Sequence, residues 1–187
     1  MRMYKPEELK FVYRMLSDPN VTRYYPPGFS VNQEDILSSM PRRLDRWRTQ
    51  GFGQLGVFDK VSGRPAGYCG LQHLDGTAEI ELFYGLTEEF WGRGLATEAA
   101  RAMLRFGFET VTLASVCAVT HPENIASQRI LDKLGFARAV EPKRFYGLDL
   151  VYFAFHGEDF EPGGSEYRLS WQESSPDQFT TSILKTQ

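Results

Sequence analysis

The chain is 187 residues long, the size of one domain or of one domain with a tail. At 42% hydrophobic and 14% aromatic it has the mass for a sizeable core, which excludes global disorder; a formal net charge of −3 argues against a protein that grips nucleic acid through its phosphates. It holds no apolar run of about 18 residues, and Met1 to Pro6 carry no apolar leader, so it reads as a cytoplasmic protein that neither spans a membrane nor is secreted.

Residues 6–17 are predicted helical. Pro6 suits a first turn, Glu7 and Glu8 complement the positive end of the dipole, and Leu9, Val12, Tyr13 and Leu16 recur at i, i+3, i+4, i+7. Asp18-Pro19-Asn20 ends this helix, and a loop rich in Tyr and Pro follows (Tyr24-Tyr25-Pro26-Pro27-Gly28). Ser30 and Gln33 read as a capping box. The helix it opens places Ile36, Leu37, Met40, Leu44 and Trp47 on one face, with a kink or break at Pro41.

From Gly53 the apolar period becomes that of strands. Segments 54–58, 66–73 and 78–86 are separated by Ser62-Gly63 and Asp75-Gly76, which read as hairpin turns in an antiparallel meander. A helix over 95–109 with Ala96, Ala99, Ala100, Met103 and Gly107 on one face, a strand over 113–119, a helix over 124–134 and a strand over 150–155 complete an α/β domain with a mixed sheet. Residues 1–160 form that domain in this reading. Residues 161–187 are a tail with one strand near Tyr167–Trp171 and then frayed chain.

Cys69 and Cys117 lie in apolar, strand-like surroundings without a CxxC spacing, so they read as buried free thiols, with a disulfide or a nucleophile as the alternative. His73, His121 and His156 are too scattered for a metal site.

Two stretches carry chemistry. Phe90-Trp91-Gly92-Arg93-Gly94-Leu95-Ala96-Thr97-Glu98-Ala99 joins a strand to a helix through small residues. Glycine there lets backbone approach a ligand, and the first amides of a helix point outward unpaired, so the turn suits a pyrophosphate. It lacks the Gly-Lys-Ser/Thr of a Walker A loop, and its glycine spacing is not that of a dinucleotide fold. A tight turn without a ligand is the alternative. The second stretch runs from His121 to Phe136. Asn124 is a good N-cap, Gly135 fits a left-handed C′ position, and Phe136 is placed to pack on Leu131. Ser127 is left one turn beyond Asn124, on a helix that starts beside the sheet end.

Together these stretches, in this order and about 30 residues apart, resemble the GCN5-related N-acetyltransferase (GNAT) superfamily, in particular its RimJ/RimL-like branch. The resemblance spans roughly residues 5–155 and implies a mixed, mostly antiparallel sheet with splayed strands flanked by helices. It also implies an enzyme that moves the acetyl group of acetyl-CoA to a primary amine by direct attack in a ternary complex. The family's Gln/Arg-x-x-Gly-x-Gly/Ala turn becomes Trp91-x-x-Gly94-x-Ala96 here, departing at its first position. The resemblance implies that Gly92, Arg93, Gly94, Leu95, Ala96 and Thr97 hold the phosphates. It gives Tyr84, Gly85, Leu86 and Asn124 to the pantetheine arm, the Leu86 amide to the thioester oxygen, and Ser127 to the sulfur.

An amine must shed a proton to attack, so a base is needed. Glu79 and Glu81 read as sharing one strand face, and Glu81 is the preferred base. Where many family members carry a tyrosine acid, this chain has Leu131. Ser127 is the substitute, with Tyr146 as a second candidate. Such enzymes usually open with a strand, for which only Met1–Lys5 is available; it is either very short or its edge is covered by the tail strand.

The resemblance assigns the acceptor pocket to the loop 23–29, the helix bearing Arg42, Arg43 and Trp47, and Glu141–Gly147. The acceptor is a protein or peptide N-terminus or a small-molecule amine. A non-catalytic acyl-CoA-binding module is the third reading, and a monomer or homodimer is expected.

Overall fold

The computed structural model of the chain describes residues 1–161, 167–173 and 179–185. The first predicted helix forms as a 3₁₀ turn, Pro6–Glu8, running into α1 (Leu9–Leu16), which buries Leu9, Val12 and Met15. Asp18 caps the short α2 (Pro19–Thr22) by accepting from the Asn20 N–H at 2.9 Å. The cap of α3 (Gln33–Ser38) is Asn32, which accepts from the Asp35 N–H at 2.8 Å, and not Ser30. Asn is at least as good a cap as Ser, and its position three residues before Asp35 wins.

Pro41 breaks the second helix as expected. The chain restarts as α4 (Met40–Gln50) with Pro41 in its first turn, where a missing N–H costs no helical bond. The two pieces then bury different faces. Ile36 packs with Leu9 and Val12, while Trp47 packs on Phe106 with ring centres 5.7 Å apart. Leu37, on the face expected to be buried, is left 46% exposed.

β1 (Gln54–Phe58), β2 (Pro65–His73) and β3 (Ile80–Leu86) form the predicted meander. Asp75 and Gly76 both take positive φ, 41° and 76°, in the second hairpin turn. Then follow α5 (Leu95–Glu109), β4 (Ser115–Thr120) and α6 (Ile125–Leu134). Gly135 stops α6 in the left-handed conformation, and the Phe136 N–H reaches back to the Leu131 carbonyl at 3.1 Å. Two short strands the apolar pattern does not announce, β5 (Ala137–Arg138) and β6 (Lys143–Phe145), pair with the long β7 (Leu148–His156). The strand order is β1-β2-β3-β4-β7-β5, with β6 also on β7, and only the β3–β4 pairing is parallel. This is the mixed, mostly antiparallel sheet expected.

One sheet face, with Leu55, Cys69, Leu71, Leu82 and Leu86, packs on α5, whose Ala99, Ala100 and Met103 let helix and sheet approach closely. The other face carries Gly56, Tyr68, Gly70 and Phe83, in register across β1, β2 and β3. Its cover is the N-terminal cluster of Tyr4, Leu9, Val12 and Ile36.

The opening strand is reduced to one bridge, Arg2 to Gly56, with mutual N–H···O bonds of 3.1 and 2.8 Å at the outer edge of β1. Among the described residues no tail strand pairs with that edge. β8 (Tyr167–Glu173) and β9 (Phe179–Lys185) pair with each other as a separate hairpin, which satisfies their ladder locally. A second strand therefore stands where fraying was the expectation. The rest of that expectation falls on residues 162–166, 174–178 and 186–187, outside the described residues.

Candidate active site

The parallel ladder between β3 and β4 consists of a single pair, Glu81 opposite Cys117. Beyond it both strands continue without further pairing to each other, which leaves an open wedge. What lines the wedge follows from the alternation of antiparallel bonding. Thr87 donates to the Ala66 carbonyl at 2.9 Å, so the partners Gly85–Tyr68, Phe83–Gly70 and Glu81–Gln72 turn their backbone groups toward β2. Those of Tyr84 and Leu86 therefore face the wedge. Trp91 Nε1 donates to the Leu86 carbonyl at 2.8 Å, and the Leu86 N–H points to the same side.

At the wide end of the wedge stands the N-terminus of α5. Gly92 and Gly94 have φ of 72° and 77°, and a Cβ at either would meet no atom within 4 Å. Positive φ demands glycine there, and the empty surroundings keep the turn open. Glu98 is the first residue whose N–H finds a helical acceptor, the Gly94 carbonyl at 3.0 Å, so the amides of Leu95, Ala96 and Thr97 have none inside the helix. At α6 the contrast is plain: Asn124 Oδ1 accepts the Ser127 N–H at 3.1 Å and closes that terminus from within. Gly94 has no side chain to do the same, so α5 presents its amides and the positive end of its dipole outward. Arg93 is exposed beside this turn, with Cζ 5.3 Å from the centre of the Phe90 ring.

At the closed end of the wedge sits Glu81, 5% exposed. Its Oε2 accepts from Gln72 Nε2 at 2.9 Å and from the Tyr146 hydroxyl at 2.7 Å. Burial pushes the Glu81 carboxyl above the usual carboxylate range, Asp75 adds to the rise, and the two hydrogen bonds pull part of it back. Tyr146 occupies the β6–β7 turn with φ of 52°, followed by Gly147 at 76°. Asp75 holds it there: Oδ2 accepts the Tyr146 N–H at 2.7 Å, and the Asp75 N–H donates to the phenolic oxygen at 3.2 Å. Burial and the neighbouring Glu81 charge push the Tyr146 phenol up, so it acts as a fixed donor to Glu81. Glu79 differs from Glu81 in burial: it lies just before β3, is exposed and accepts from the Tyr152 hydroxyl, and the strand begins two residues later than its apolar pattern suggests.

Ser127 faces β3 from the first turn of α6. Its Oγ lies 3.0 Å from the Tyr84 hydroxyl, which also donates to the Ser127 carbonyl at 3.3 Å. Burial pushes the Tyr84 phenol up. Leu131 is 1% exposed and belongs to the core. Cys69 and Cys117 are free and buried, with thiols pushed up to about 12 by desolvation, which is the state of inert thiols.

On the other side of the meander, the Tyr25 and Tyr68 hydroxyls hydrogen-bond to each other, Tyr25 stacks edge-on against Phe29 at 4.7 Å, and Tyr68 lies 5.8 Å from Phe83. Arg43 Nε donates to Ser39 Oγ at 3.0 Å. Trp47, expected in the acceptor pocket, is instead a core residue, since the restart of the helix at Met40 turns it toward Phe106. Tyr24 stacks on His121 at 5.3 Å and ties the N-terminal loop to the start of α6.

The sequence reading brought Glu81, Ser127, Asn124, Tyr84–Leu86 and Gly92–Thr97 to one wedge. It missed Gln72 and the Trp91 indole bond, and it placed Tyr84 by its backbone alone. The Tyr146-Gly147 pair before an apolar strand was the available signal for the turn that delivers Tyr146 to Glu81. Acyl-CoA fits this arrangement: an open anion site of three unpaired amides, an unpaired strand edge for an extended amide-bearing arm, and a buried carboxylate at the end of it. Among the described residues no group of three or more His, Cys, Asp or Glu is placed to hold a metal ion, and no helix is long and apolar enough to cross a membrane.

Comparison with known proteins agrees with this geometry. Residues 1–137 match the family model described as an acetyltransferase (GNAT) domain, and the chain belongs to that family. It is 29% identical to the uncharacterized N-acetyltransferase p20 of Bacillus licheniformis, over 74% of this chain and 78% of that protein. The fold is similar to that of spermidine N-acetyltransferase from Vibrio cholerae in complex with CoA and spermine, with a TM-score of 0.69, 14% identity and coverage of 84% and 95%. It is also similar to the ribosomal-protein-S5-alanine acetyltransferase of Vibrio fischeri, with a TM-score of 0.66, 16% identity and coverage of 86% and 93%. The chain is thus a GNAT N-acetyltransferase with acetyl-CoA as its co-substrate.

Proposed function

We propose that this enzyme acetylates the primary amine of a protein or peptide N-terminus, in the manner of the RimJ/RimL-like branch, with residues 1–160 as the acetyltransferase domain and 161–187 as an appended tail. Acetyl-CoA, when bound, supplies an acyl thioester. The amides of Gly92 to Thr97, with Arg93 beside them, hold its phosphates, and the wedge-facing backbone of Tyr84 and Leu86 pairs with its extended arm while Gly85 keeps the strand slim. The Asn124 side chain borders the same arm. The Leu86 N–H serves as the donor to the carbonyl oxygen on which negative charge grows.

Glu81, directly or through water, takes the proton from the attacking amine. Its raised pKa brings a carboxylate closer to the range in which a general base works at neutral pH. Gln72 and Tyr146 fix the carboxylate, and Ser127, backed by the Tyr84 hydroxyl, stands beside the leaving sulfur. The observation that carries the reading is the pairing of a buried, doubly hydrogen-bonded carboxylate with an uncapped helix terminus along one open strand edge.

Titration calorimetry with acetyl-CoA tests the site, and Glu81→Gln tests the chemistry. We expect saturable binding at one site per chain, retained in the variant, with kcat lowered about 10²- to 10³-fold, within the usual contribution of a positioned base. A variant with undiminished kcat removes Glu81 from the mechanism. The second reading, a small-molecule amine, is favoured by the fold shared with the spermidine enzyme; an acceptor panel separates the two.

A further inference from the structure

The position of the amine follows from, and rests on, the proposed seat of the thioester oxygen at the Leu86 N–H. An amine that attacks there must arrive beside Gly85 and Leu86, at the C-terminal end of β3. Glu81 lies five residues earlier, about 16 Å along the strand, so the proton reaches it through water and a nearer group must hold the amine.

Side chains alternate along β3. Leu82, Tyr84 and Leu86 face the core under α5, whereas Glu81, Phe83 and Gly85 face the opposite side, toward the N-terminal segments. Gly85 offers no side chain, and the space beside it is bordered by Tyr68 of the neighbouring β2. A Cβ on Gly85 would lie 2.8 Å from the Tyr68 hydroxyl oxygen and 2.9 Å from its Cζ. That oxygen is thus no more than about 4.3 Å from the Gly85 Cα, one carbon–carbon bond further on, and Leu86 N is two bonds beyond.

The Tyr68 ring is fixed. Its centre lies 5.8 Å from that of Phe83, and its hydroxyl is bonded to that of Tyr25. Tyr25 is set in turn by its N–H, which donates to the Thr22 carbonyl at 2.9 Å, and by the Phe29 ring at 4.7 Å. Among the described residues neither hydroxyl has another hydrogen-bond partner. When Tyr68 donates to Tyr25, a lone pair on Tyr68 stays free over Gly85, and the proton of the half-buried Tyr25 can turn to water. Burial pushes the Tyr68 phenol far up, so it keeps its own proton at any working pH.

A primary amine needs its nitrogen lone pair for the thioester carbon, so the group that holds it must accept one of its N–H bonds. We propose that the Tyr68 hydroxyl, its proton committed to Tyr25, accepts an N–H of the attacking amine and aims the lone pair at the thioester carbon. The nitrogen gives that pair to the carbonyl carbon, and the C–S bond breaks with its electron pair leaving on sulfur. The proton the nitrogen must lose passes through water to Glu81, and Tyr68 keeps its own. Tyr25 is a positioning residue that acts through Tyr68.

The test compares the native chain with Tyr68→Phe, Tyr25→Phe and the double variant. Release of CoA thiol is followed with an alanyl hexapeptide and with spermidine, and acetyl-CoA binding by calorimetry. On the faster acceptor Tyr68→Phe should lower kcat/KM about tenfold or more, the worth of one hydrogen bond. Acetyl-CoA affinity should stay within about twofold, and the acid limb of the pH profile should not move, because that limb belongs to Glu81. Tyr25→Phe should show a smaller loss of the same kind, and the double variant should be no worse than Tyr68→Phe alone.

Undiminished kcat/KM in Tyr68→Phe overturns the proposal, even where Glu81→Gln abolishes the acid limb. So does an additive loss in the double variant, a fall in acetyl-CoA affinity that matches the fall in rate, or a chain that binds acetyl-CoA yet turns over neither amine. Should Tyr68→Phe fail to melt cooperatively, Tyr25→Phe carries the test, and an undiminished rate in it is the overturning result. A native chain that does not bind acetyl-CoA would instead strike the acetyltransferase reading.

Discussion

At the scale of single residues, the site turns on how Glu81 is held. A carboxylate 5% exposed is expensive unless its charge is hydrogen-bonded, and each hydrogen bond to a charged group contributes about 1.5–3 kcal/mol. Tyr146 supplies one at 2.7 Å. Tyr146→Phe removes the donor that favours the charged form, so the Glu81 pKa should climb further. As the proposed base Glu81 must be ionised to accept a proton, so the rate should rise as pH rises through its pKa. The acid limb of kcat/KM against pH should thus move to higher pH in Tyr146→Phe, with a modest loss at the alkaline plateau. A profile that does not move would mean that the phenol merely packs. Tyr146 itself is held in a positive-φ turn by Asp75, so the chain accepts local strain to place a single hydroxyl.

At the scale of elements, α5 and α6 begin at the same end of the sheet and end up with opposite properties because of one residue each. Asn124 closes α6 with its own side chain, and Gly94 leaves α5 open. Gly94→Val should therefore separate folding from binding. A Cβ there meets no atom within 4 Å, so no clash opposes it, but a β-branched residue at φ of 77° costs on the order of 1–2 kcal/mol. The variant should melt cooperatively a few degrees lower and lose acetyl-CoA affinity at least tenfold by calorimetry. Undiminished affinity would show the Gly92–Ala96 turn to be structural only. The wedge is likewise a property of elements. β3 commits alternate backbone groups to β2, and β4 meets it at one pair only, so the outward groups of Tyr84 and Leu86 find no partner strand, and the Leu86 carbonyl takes the Trp91 indole N–H instead.

At the scale of the whole molecule, the core joining α5 to the central sheet is built, among the described residues, from residues 1–160, and the described strands β8 and β9 share no ladder with that sheet. A chain ending at Phe160 should therefore fold and bind acetyl-CoA as the full chain does. Thermal melting and calorimetry check this; loss of cooperative melting would make the tail part of the domain. Much of this architecture was legible in the sequence, because the signals were local. Apolar period marked the helices and the meander, Asp75-Gly76 the hairpin, Pro41 the break, and Gly94 and Asn124 the two helix starts. What was not legible depends on contacts between residues distant along the chain. Glu81 and Glu79 look alike two residues apart, and only the strand boundary and the packing around it make one buried and the other exposed. Tyr146 reaches Glu81 across 65 positions, and Tyr84 reaches Ser127 across 43. Leu37 and Trp47 seemed to share a face until the helix restarted between them. The sequence by itself determined the family, the order of elements and the open glycine turn before α5, since each is written in neighbouring residues. Only the tertiary structure decided which of the two carboxylates is buried and what holds it, because burial arises when distant segments meet.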